Sequence, residues 1–419
     1  MTGALPATVT ARRRSTGSCL GPLPMINVVV LEIGLALGLA LVAADTALWW
    51  AALALLLVAA PLALGRWRGR WLVLWAQLTA DYLLRSRRRT LTSAELVTAG
   101  HPPTSSPPTS QQPTLGTDDS RVALLRLVLP ELIVAHTTDH QREPLGLAGH
   151  RGTWTAVLQV DAAPLMIAAV GGTPSLPLGA LAPCLEDRGV VLDAIQVIWH
   201  CYPGSAALPS SSPALRSYLE VLGPLSAAAR RTTWVAVRLD PRRCLAAVAE
   251  RGGGVVGSHR ALIGALSRVR SALESQGIST RPLDADRLLR AGISAAELSA
   301  VAGTGQQAVL NEDWAAVTAA GVGHASFAIT DWGTTPNLNA LTGVRALSTT
   351  VALALSPGAD GAEVGLRGVI RVSARNPTEL EAADGRLQAV SERLGVSLIP
   401  LCGQQVAGLA ATLPLGACA

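Results

Sequence analysis

Residues 232–260 read TTWVAVRLDPRRCLAAVAERGGGVVGSHR. Gly252, Gly254 and Gly257 spell G-x-G-x-x-G, and Glu274 lies twenty positions past Gly254, the pattern of a dinucleotide-binding fingerprint. That fingerprint needs a strand running straight into the glycines, so that the pyrophosphate meets the N-terminus of the following helix. Here the strand TTWVAVRL ends at Asp240, which reads as an N-cap, and Pro241 opens a helix before any glycine arrives. The glycines therefore join two helices. Gly252 suits a helix C-cap, Ser258 is the expected start of the next helix, and Glu274 falls in a helical last turn instead of at the end of a second strand. The stretch predicts strand, helix, corner, helix and no bound cofactor.

Working outward, apolar runs predict strands over Val122–Leu129, Leu132–His136, Thr153–Val160, Val190–Trp199, Thr233–Leu239, His324–Ile329, Thr349–Leu355 and Glu363–Val372. The GHRG sequence at Gly149–Gly152 predicts a hairpin turn. Helices are expected over Ser212–Arg230, Pro241–Glu250, Ser258–Gln276, Ala285–Arg290 and Pro377–Leu394, the last with Asn376 as N-cap and Pro377 at N1. Together they define a mixed α/β domain over 121–419. The segment 90–120 contains HPPTSSPPTSQQPTLGTDD, too rich in Pro, Ser, Thr and Gln to bury apolar surface, and reads as a linker.

Ahead of the linker, Ile26–Ala44 and Ala47–Leu64 are each long enough to cross roughly 30 Å of hydrocarbon at about 1.5 Å per residue. With only Asp45 and Thr46 between them, 26–64 predicts a transmembrane helical hairpin, with Trp49 and Trp50 as aromatic anchors at one interface. Arg12, Arg13 and Arg14 in the basic tail 1–25, and the arginines from Arg66 to Arg89, place both ends in the cytoplasm by the positive-inside rule. Signal-peptide cleavage is not expected, because a second span follows at once and no small-residue cleavage site precedes it. Glu32 within the first span is either a protonated or snorkelling acid near the cytoplasmic edge or an interhelical contact. The segment 65–89, GRWRGRWLVLWAQLTADYLLRSRRR, sets Trp71, Trp75, Leu78 and Tyr82 on one helical face flanked by arginines. Such a basic aromatic juxtamembrane helix can lie on the inner membrane surface or against a partner subunit. Arg66, Trp67, Arg68, Arg70, Trp71, Trp75 and Tyr82 join Glu32, Trp49 and Trp50 as expected membrane or partner contacts.

Composition narrows the chemistry. All 34 residues of the Lys+Arg count are arginine, which excludes the Walker A lysine, Schiff bases and the kinase strand lysine. The formal charge is +5, with the excess near the apolar runs, where anionic lipid is a better partner than nucleic acid. Cys19, Cys184, Cys201, Cys244, Cys402 and Cys418 are scattered without a C-x-x-C, so free thiols are expected. His136 and His140, with Asp139, could hold a metal only if helical; following a strand, they read as a polar loop. Asp284 and Asp286 in RPLDADRLLR resemble the D-x-D by which many glycosyltransferases hold a metal and a sugar nucleotide. The same residues equally make a helix start, Asp284 as N-cap and Asp286 in the first turn. No catalytic motif emerges, and the expectation is a non-enzyme without cofactor or metal.

The order of these features, a two-span hairpin, GRWRGRWLVLW, a Pro-rich break, WVAVRLDPRRC, RGGG and RPLDADRLL, resembles the EccE family of the actinobacterial type VII (ESX) secretion machinery. The resemblance implies a glycosyltransferase-like cytosolic fold without catalysis. It also implies a structural subunit of a large hetero-oligomeric inner-membrane complex, with EccB-, EccC- and EccD-like partners and EccC as the ATPase. The competing expectation is a membrane-anchored, metal-dependent glycosyltransferase using Asp284 and Asp286.

Overall fold

The computed structural model describes residues 19–20, 23–67, 70–92, 119–161, 177–202, 230–302, 304, 306–332, 338–358 and 363–416. Of the expected helix Ser212–Arg230 only Arg230 is among them, and it opens a strand; residues 93–118 of the expected 90–120 linker and most of the basic tail lie outside them. The chain divides into two compact units, one over Arg13–Arg87 and the other carrying Arg88–Ala419.

In the first unit, helices α1 (Met25–Ala44) and α2 (Trp49–Leu64) pack as a hairpin, joined by a 3-10 turn over Thr46–Leu48 that Asp45 caps by accepting from Ala47 N. Both are long and apolar enough to cross a membrane. Their seam is built from small residues: a Cβ on Gly34 would stand 2.6 Å from Ala59 Cβ, and one on Gly38 would stand 3.8 Å from Ala52 Cβ. Backbones approaching this closely gain van der Waals contact that bulkier side chains would forbid. At the open end Asn27 is buried and donates through Nδ2 to Ala63 O at 2.7 Å, satisfying one of the carbonyls that the last turn of a helix leaves without a partner. Helix α3 (Leu72–Leu84) follows, with Val73 and Tyr82 buried.

The second unit is built on one 13-stranded sheet. Its strands are β1 (Arg88–Leu91), β2 (Ile133–Thr138), β3 (Pro144–His150), β4 (Thr153–Val160), β5 (Ala194–Tyr202), β6 (Arg230–Leu239), β7 (Thr280–Pro282), β8 (Ala308–Glu312), β9 (Val317–Ala319), β10 (Val322–Asp331), β11 (Ser348–Pro357), β12 (Val364–Ala374) and β13 (Ser397–Pro400). Across the sheet the order is β1-β8-β9-β10-β12-β11-β5-β6-β4-β3-β2, with β7 added to β4 and β13 to β10. Every pairing in it is antiparallel. A dinucleotide crevice of the doubly wound kind opens beyond the carboxyl ends of parallel strands, an arrangement this sheet lacks among its described residues. The glycosyltransferase-like fold implied by the family resemblance finds no support in this topology.

Helices cover both faces. On one, α5 (Leu245–Glu250), α6 (Gly254–Glu274) and α8 (Pro377–Arg393) bury Leu262, Leu266, Val269 and Leu387 against Ile195, Val197, Val235, Leu353 and Ile370. On the other, α4 (Ser120–Arg126), α7 (Ala285–Ala295) and α9 (Gln405–Ala411) bury Leu125, Leu288 and Leu409 against Ile198, Trp234, Ala236 and Ala352. Because both faces are covered, central strands such as β5 and β6 read as near-continuous apolar runs despite their antiparallel pairing.

Several expected elements change: Val190–Trp199 is two strands, Val190–Val191 and Ala194–Tyr202, and the helix expected over Ala285–Arg290 runs on to Ala295. Val122–Leu129 is not a strand: Ser120–Arg126 is helical, with Asp119 as its N-cap accepting from Arg121 N. Its apolar run is buried as a helix, which periodicity over so few residues does not distinguish from a strand. Helix α6 begins at Gly254, not Ser258, and Ser258 Oγ instead donates back to Gly254 O at 2.7 Å. Arg88–Leu91, expected at the juncture of the juxtamembrane and linker segments, pairs with β8 as an edge strand, Leu91 opposite Ala308.

Candidate functional site

The glycine corner is a packing joint. Asp240 accepts from Arg242 N, Pro241–Arg243 forms a 3-10 turn, and α5 ends before Gly252 at φ 108°, Gly253 at 67° and Gly254 at 53°, a conformation favouring glycine. Gly257 sits against the preceding helix, where a Cβ would meet Val248 O at 2.2 Å. Glu274 lies in the last turn of α6 and pairs with Arg270 at 2.9 Å. Strand β6 ends thirteen positions before Gly252, and the corner offers no strand-to-helix turn for a pyrophosphate.

Asp284 and Asp286 are brought to separate tasks. Asp284 caps α7 by accepting from Arg287 N at 2.7 Å. Asp286 binds Arg121 Nη1 at 2.6 Å and also pairs with Arg290. Arg121 in turn grips Asp119, at 2.6 Å through Nη2, so a single guanidinium clips α4 to α7. The hydrogen bond from Arg121, with help from Arg290, holds the Asp286 carboxyl below its usual range against the opposing effect of burial. Asp119 is raised by burial and lowered more by Arg121, with a net downward shift. Both D-x-D carboxylates are thus engaged by protein groups. Among the described residues no set of three or more His, Cys, Asp and Glu side chains is placed to hold a metal ion.

A row of polar residues lies inside the second face, unmarked by any local motif. Arg371 on β12 is fully buried and donates through Nη2 to Thr350 Oγ1 at 2.9 Å and to Ala295 O. His200 Nδ1 meets the same hydroxyl at 2.8 Å, and His324 Nδ1 meets Ser373 Oγ at 2.9 Å. Gln196 donates to Ala411 O at 2.5 Å, and Glu312 accepts from Val406 N at 3.0 Å. These partners share a meaning: Ala295 closes α7, Ala411 closes α9 and Val406 lies in the first turn of α9. Helix ends left in a core must have their backbone groups satisfied. The sheet supplies a cation and an amide to two negative ends and a carboxylate to a positive one, as the macrodipole favours.

The electrostatics agree. Burial, then the charge of Arg371, depresses His200 to about 3, so its 3.7 Å approach to Glu297 Oε1 is that of a neutral imidazole to a carboxyl. His324 is lowered well below 6.5 by burial and then by Arg371. Burial lowers Arg371 to about 10, leaving it charged at neutral pH, and pushes Glu297 up.

Elsewhere, Trp49 and Trp50 are exposed at the turn of the hairpin, and Glu32 is exposed on the side of α1 away from the Gly34 and Gly38 seam. The Arg66 guanidinium lies 4.0 Å over the Trp71 ring. Trp71 and Trp75 are half-buried and Tyr82 is buried, with the Arg87 guanidinium 5.1 Å from its ring. Arg68 lies outside the described residues, and the side chains of Trp67 and Arg70 likewise. His136, at the end of β2, and His140, in the next turn, line one cleft together with Arg251, His259 and Arg260 of the corner. Sequence reasoning separated these two groups by more than a hundred residues.

Two helices long and apolar enough to cross a bilayer, ahead of an α/β domain in which several buried polar groups hold helix ends, fit a membrane component with a folded domain. Residues 227–329, from β6 through the corner to β10, match the family model described as putative type VII ESX secretion system translocon, EccE. The ESX-5 secretion system protein EccE5 of Mycobacterium marinum is 29% identical over 163 residues, 36% of this chain and 40% of that protein. The ESX-5 secretion system protein EccE5 of Mycobacterium tuberculosis is 30% identical over 122 residues, 27% of this chain and 29% of that one. The ESX-1 secretion system protein EccE1 of Mycolicibacterium smegmatis is 37% identical over 73 residues, 17% of this chain and 15% of that one. By these matches the chain is similar to EccE proteins, components of type VII secretion systems, and it spans less than half the length of each relative. Among solved structures, an alkyldihydroxyacetonephosphate synthase aligns with TM-score 0.24 and 9% identity over 60% of this chain and 41% of that one, too slight a likeness to bear on the fold.

Proposed function

We propose that this protein is a non-enzymatic structural subunit of a type VII secretion inner-membrane complex, where it stabilises the translocation channel assembly. The family match over 227–329 carries the reading. It is supported by a domain whose D-x-D carboxylates serve as helix cap and inter-helix clip. In this reading α1 and α2 cross the plasma membrane twice with both termini in the cytoplasm, as the flanking arginines favour. Glu32, Trp49 and Trp50 and the segment holding Arg66, Trp67, Arg68, Arg70, Trp71, Trp75 and Tyr82 meet lipid or EccB-, EccC- and EccD-like partners, with an EccC-like subunit supplying ATP hydrolysis.

The test is to purify the secretion complex from cells with and without this chain. Loss of mass and of stability to detergent is expected when it is missing; a complex of unchanged composition and stability refutes the structural role. Topology is read separately by thiol labelling of single-cysteine variants at each terminus, in intact cells and in inverted vesicles. Labelling in inverted vesicles alone is expected.

A further inference from the structure

The cleft between the end of β2 and the first turns of α6 has a volume of about 810 Å³, within the range of sites for small organic ligands. Its charge is unbalanced. Arg251 Nη1 donates to Ala247 O at 2.7 Å and Arg260 Nη1 to Arg251 O at 3.0 Å. These bonds fix both guanidiniums while using a fraction of the five N–H donors each carries. Among the described residues neither has a carboxylate partner. Asp139, the acid on the same wall, already accepts from Gln141 N and Glu143 N at 2.8 Å each and lies 4.0 Å from Arg270.

Two further observations point the same way. Helix α6 runs 21 residues from Gly254, and its N-cap Gly253 has no side chain to cap the first N–H groups, leaving the positive end of a long dipole beside the two arginines. His259, in its second turn and lining the cleft, is only 5% exposed, and its Nε2 has no hydrogen-bond partner among the described residues. Its ring is held edge-on to Trp154 with centroids 4.3 Å apart. With its Nε2 closed to solvent, the ring forms a fixed wall of the cleft along which the body of a ligand can lie.

We infer that this cleft binds a small organic phosphate, with its anionic group held by Arg251 and Arg260 at the start of α6 and its body along Val256, Ile263 and His259. Two guanidiniums and a helix N-terminus match a multiply charged, many-oxygened group better than a single carboxylate. The volume leaves room for a body as large as a nucleoside or a lipid headgroup. The site is independent of the secretion reading. It does not revive the dinucleotide fingerprint, because its phosphate lies on a helix-to-helix corner.

The experiment titrates the full chain in detergent with ATP, as a nucleotide phosphate, and with dihexanoyl phosphatidic acid, as a lipid phosphate, by calorimetry. The variants are Arg260→Gln and Val256→Asp. Arg260→Gln removes one charge-assisted contact, for which about tenfold weaker binding is expected. Val256→Asp brings an acid into the cleft while placing it in the first turn of α6, where the dipole favours it; it is expected to keep the wild-type unfolding temperature and to weaken binding about tenfold or more. Saturable binding of either probe, weakened by both substitutions, upholds the cleft. The preferred probe tells a nucleotide source from a lipid one. Absence of saturable binding of both probes at millimolar concentration, or binding indifferent to Val256→Asp in a folded variant, overturns the assignment.

Discussion

The reading of Gly257 as a packing position makes two substitutions on one helix move stability in opposite directions. At Gly257 an alanine Cβ would stand 2.2 Å from Val248 O and 3.2 Å from Val248 C. Both are backbone atoms that no rotamer change can move, so α5 and α6 must part by about 1 Å to restore an ordinary contact, an overpacking cost of roughly 1–3 kcal/mol. Alanine recovers about 0.5–1 kcal/mol through helix propensity, leaving a net loss of about 1–2 kcal/mol. At Gly264, two turns on, nothing lies within 4 Å of the added Cβ, and the same substitution gains about 0.5–1 kcal/mol with no opposing term. With about 2–4 °C per kcal/mol for a domain of this order, Gly257→Ala should lower the thermal midpoint by roughly 2–8 °C and Gly264→Ala should raise it slightly. The measurement is circular dichroism of full-length protein in detergent at one fixed scan rate. If Gly257→Ala unfolds at or above the wild-type temperature, the helix-to-helix packing argument is wrong.

Acid should destabilise the domain from the histidine side. His200 and His259 fall to about 3 and about 4 through burial, with the Arg371 charge adding to the effect at His200, and His324 lies well below 6.5. Below about pH 6.5 the unfolded chain takes up protons that the folded one refuses, so stability falls with pH by about 1.4 kcal/mol per unit for each histidine. Chemical unfolding between about pH 7 and pH 5 should show this slope, reduced by one histidine's share in His259→Phe; a flat profile would contradict it. The D-x-D aspartates should behave unequally. Asp284→Ala loses a cap, at about 1 kcal/mol, whereas Asp286, with its half-exposed pairs, should cost about 0.5 kcal/mol or less. Equal losses, appearing only in added divalent metal, would restore the metal reading.

What the sequence made legible is what local physics decides. Thr153–Val160 is a strand with the expected bounds, and His150 pairs with Thr153 across the GHRG turn. Asn376 caps α8 by accepting from Glu379 N at 2.8 Å. Asp240, Asp284 and the absence of a strand entering the glycines were readable for the same reason, since caps and turns are decided within a few residues. Where burial is all-round, the period vanishes: Val122–Leu129 took the wrong class, and Gln405–Ala411, buried along most of its length, gave no signal. The polar row was hidden differently. Gln196, His200, His324, Thr350 and Arg371 come from four strands that only the sheet order brings together, although Gln196 and His200 share one face of β5 and could have been flagged as buried polar groups in need of partners. The cleft, too, exists only once β2 and α6 are adjacent.

The edge strand β1 changes how the Pro-rich segment must be regarded. The division between the two units falls between Arg87 and Arg88. Arg88–Leu91 is already hydrogen-bonded to β8, and Arg89 reaches Leu127 O at 2.7 Å. The chain after Leu91 therefore leaves one body and returns to that same body at Asp119, which makes it an excursion and not a tether. Added residues there cost the domain little, because loop closure penalises length only logarithmically. What holds the start of this domain to the rest is thus four residue pairs of β1 and β8 at the rim of the sheet, with the Arg89 bond to Leu127 O beside them.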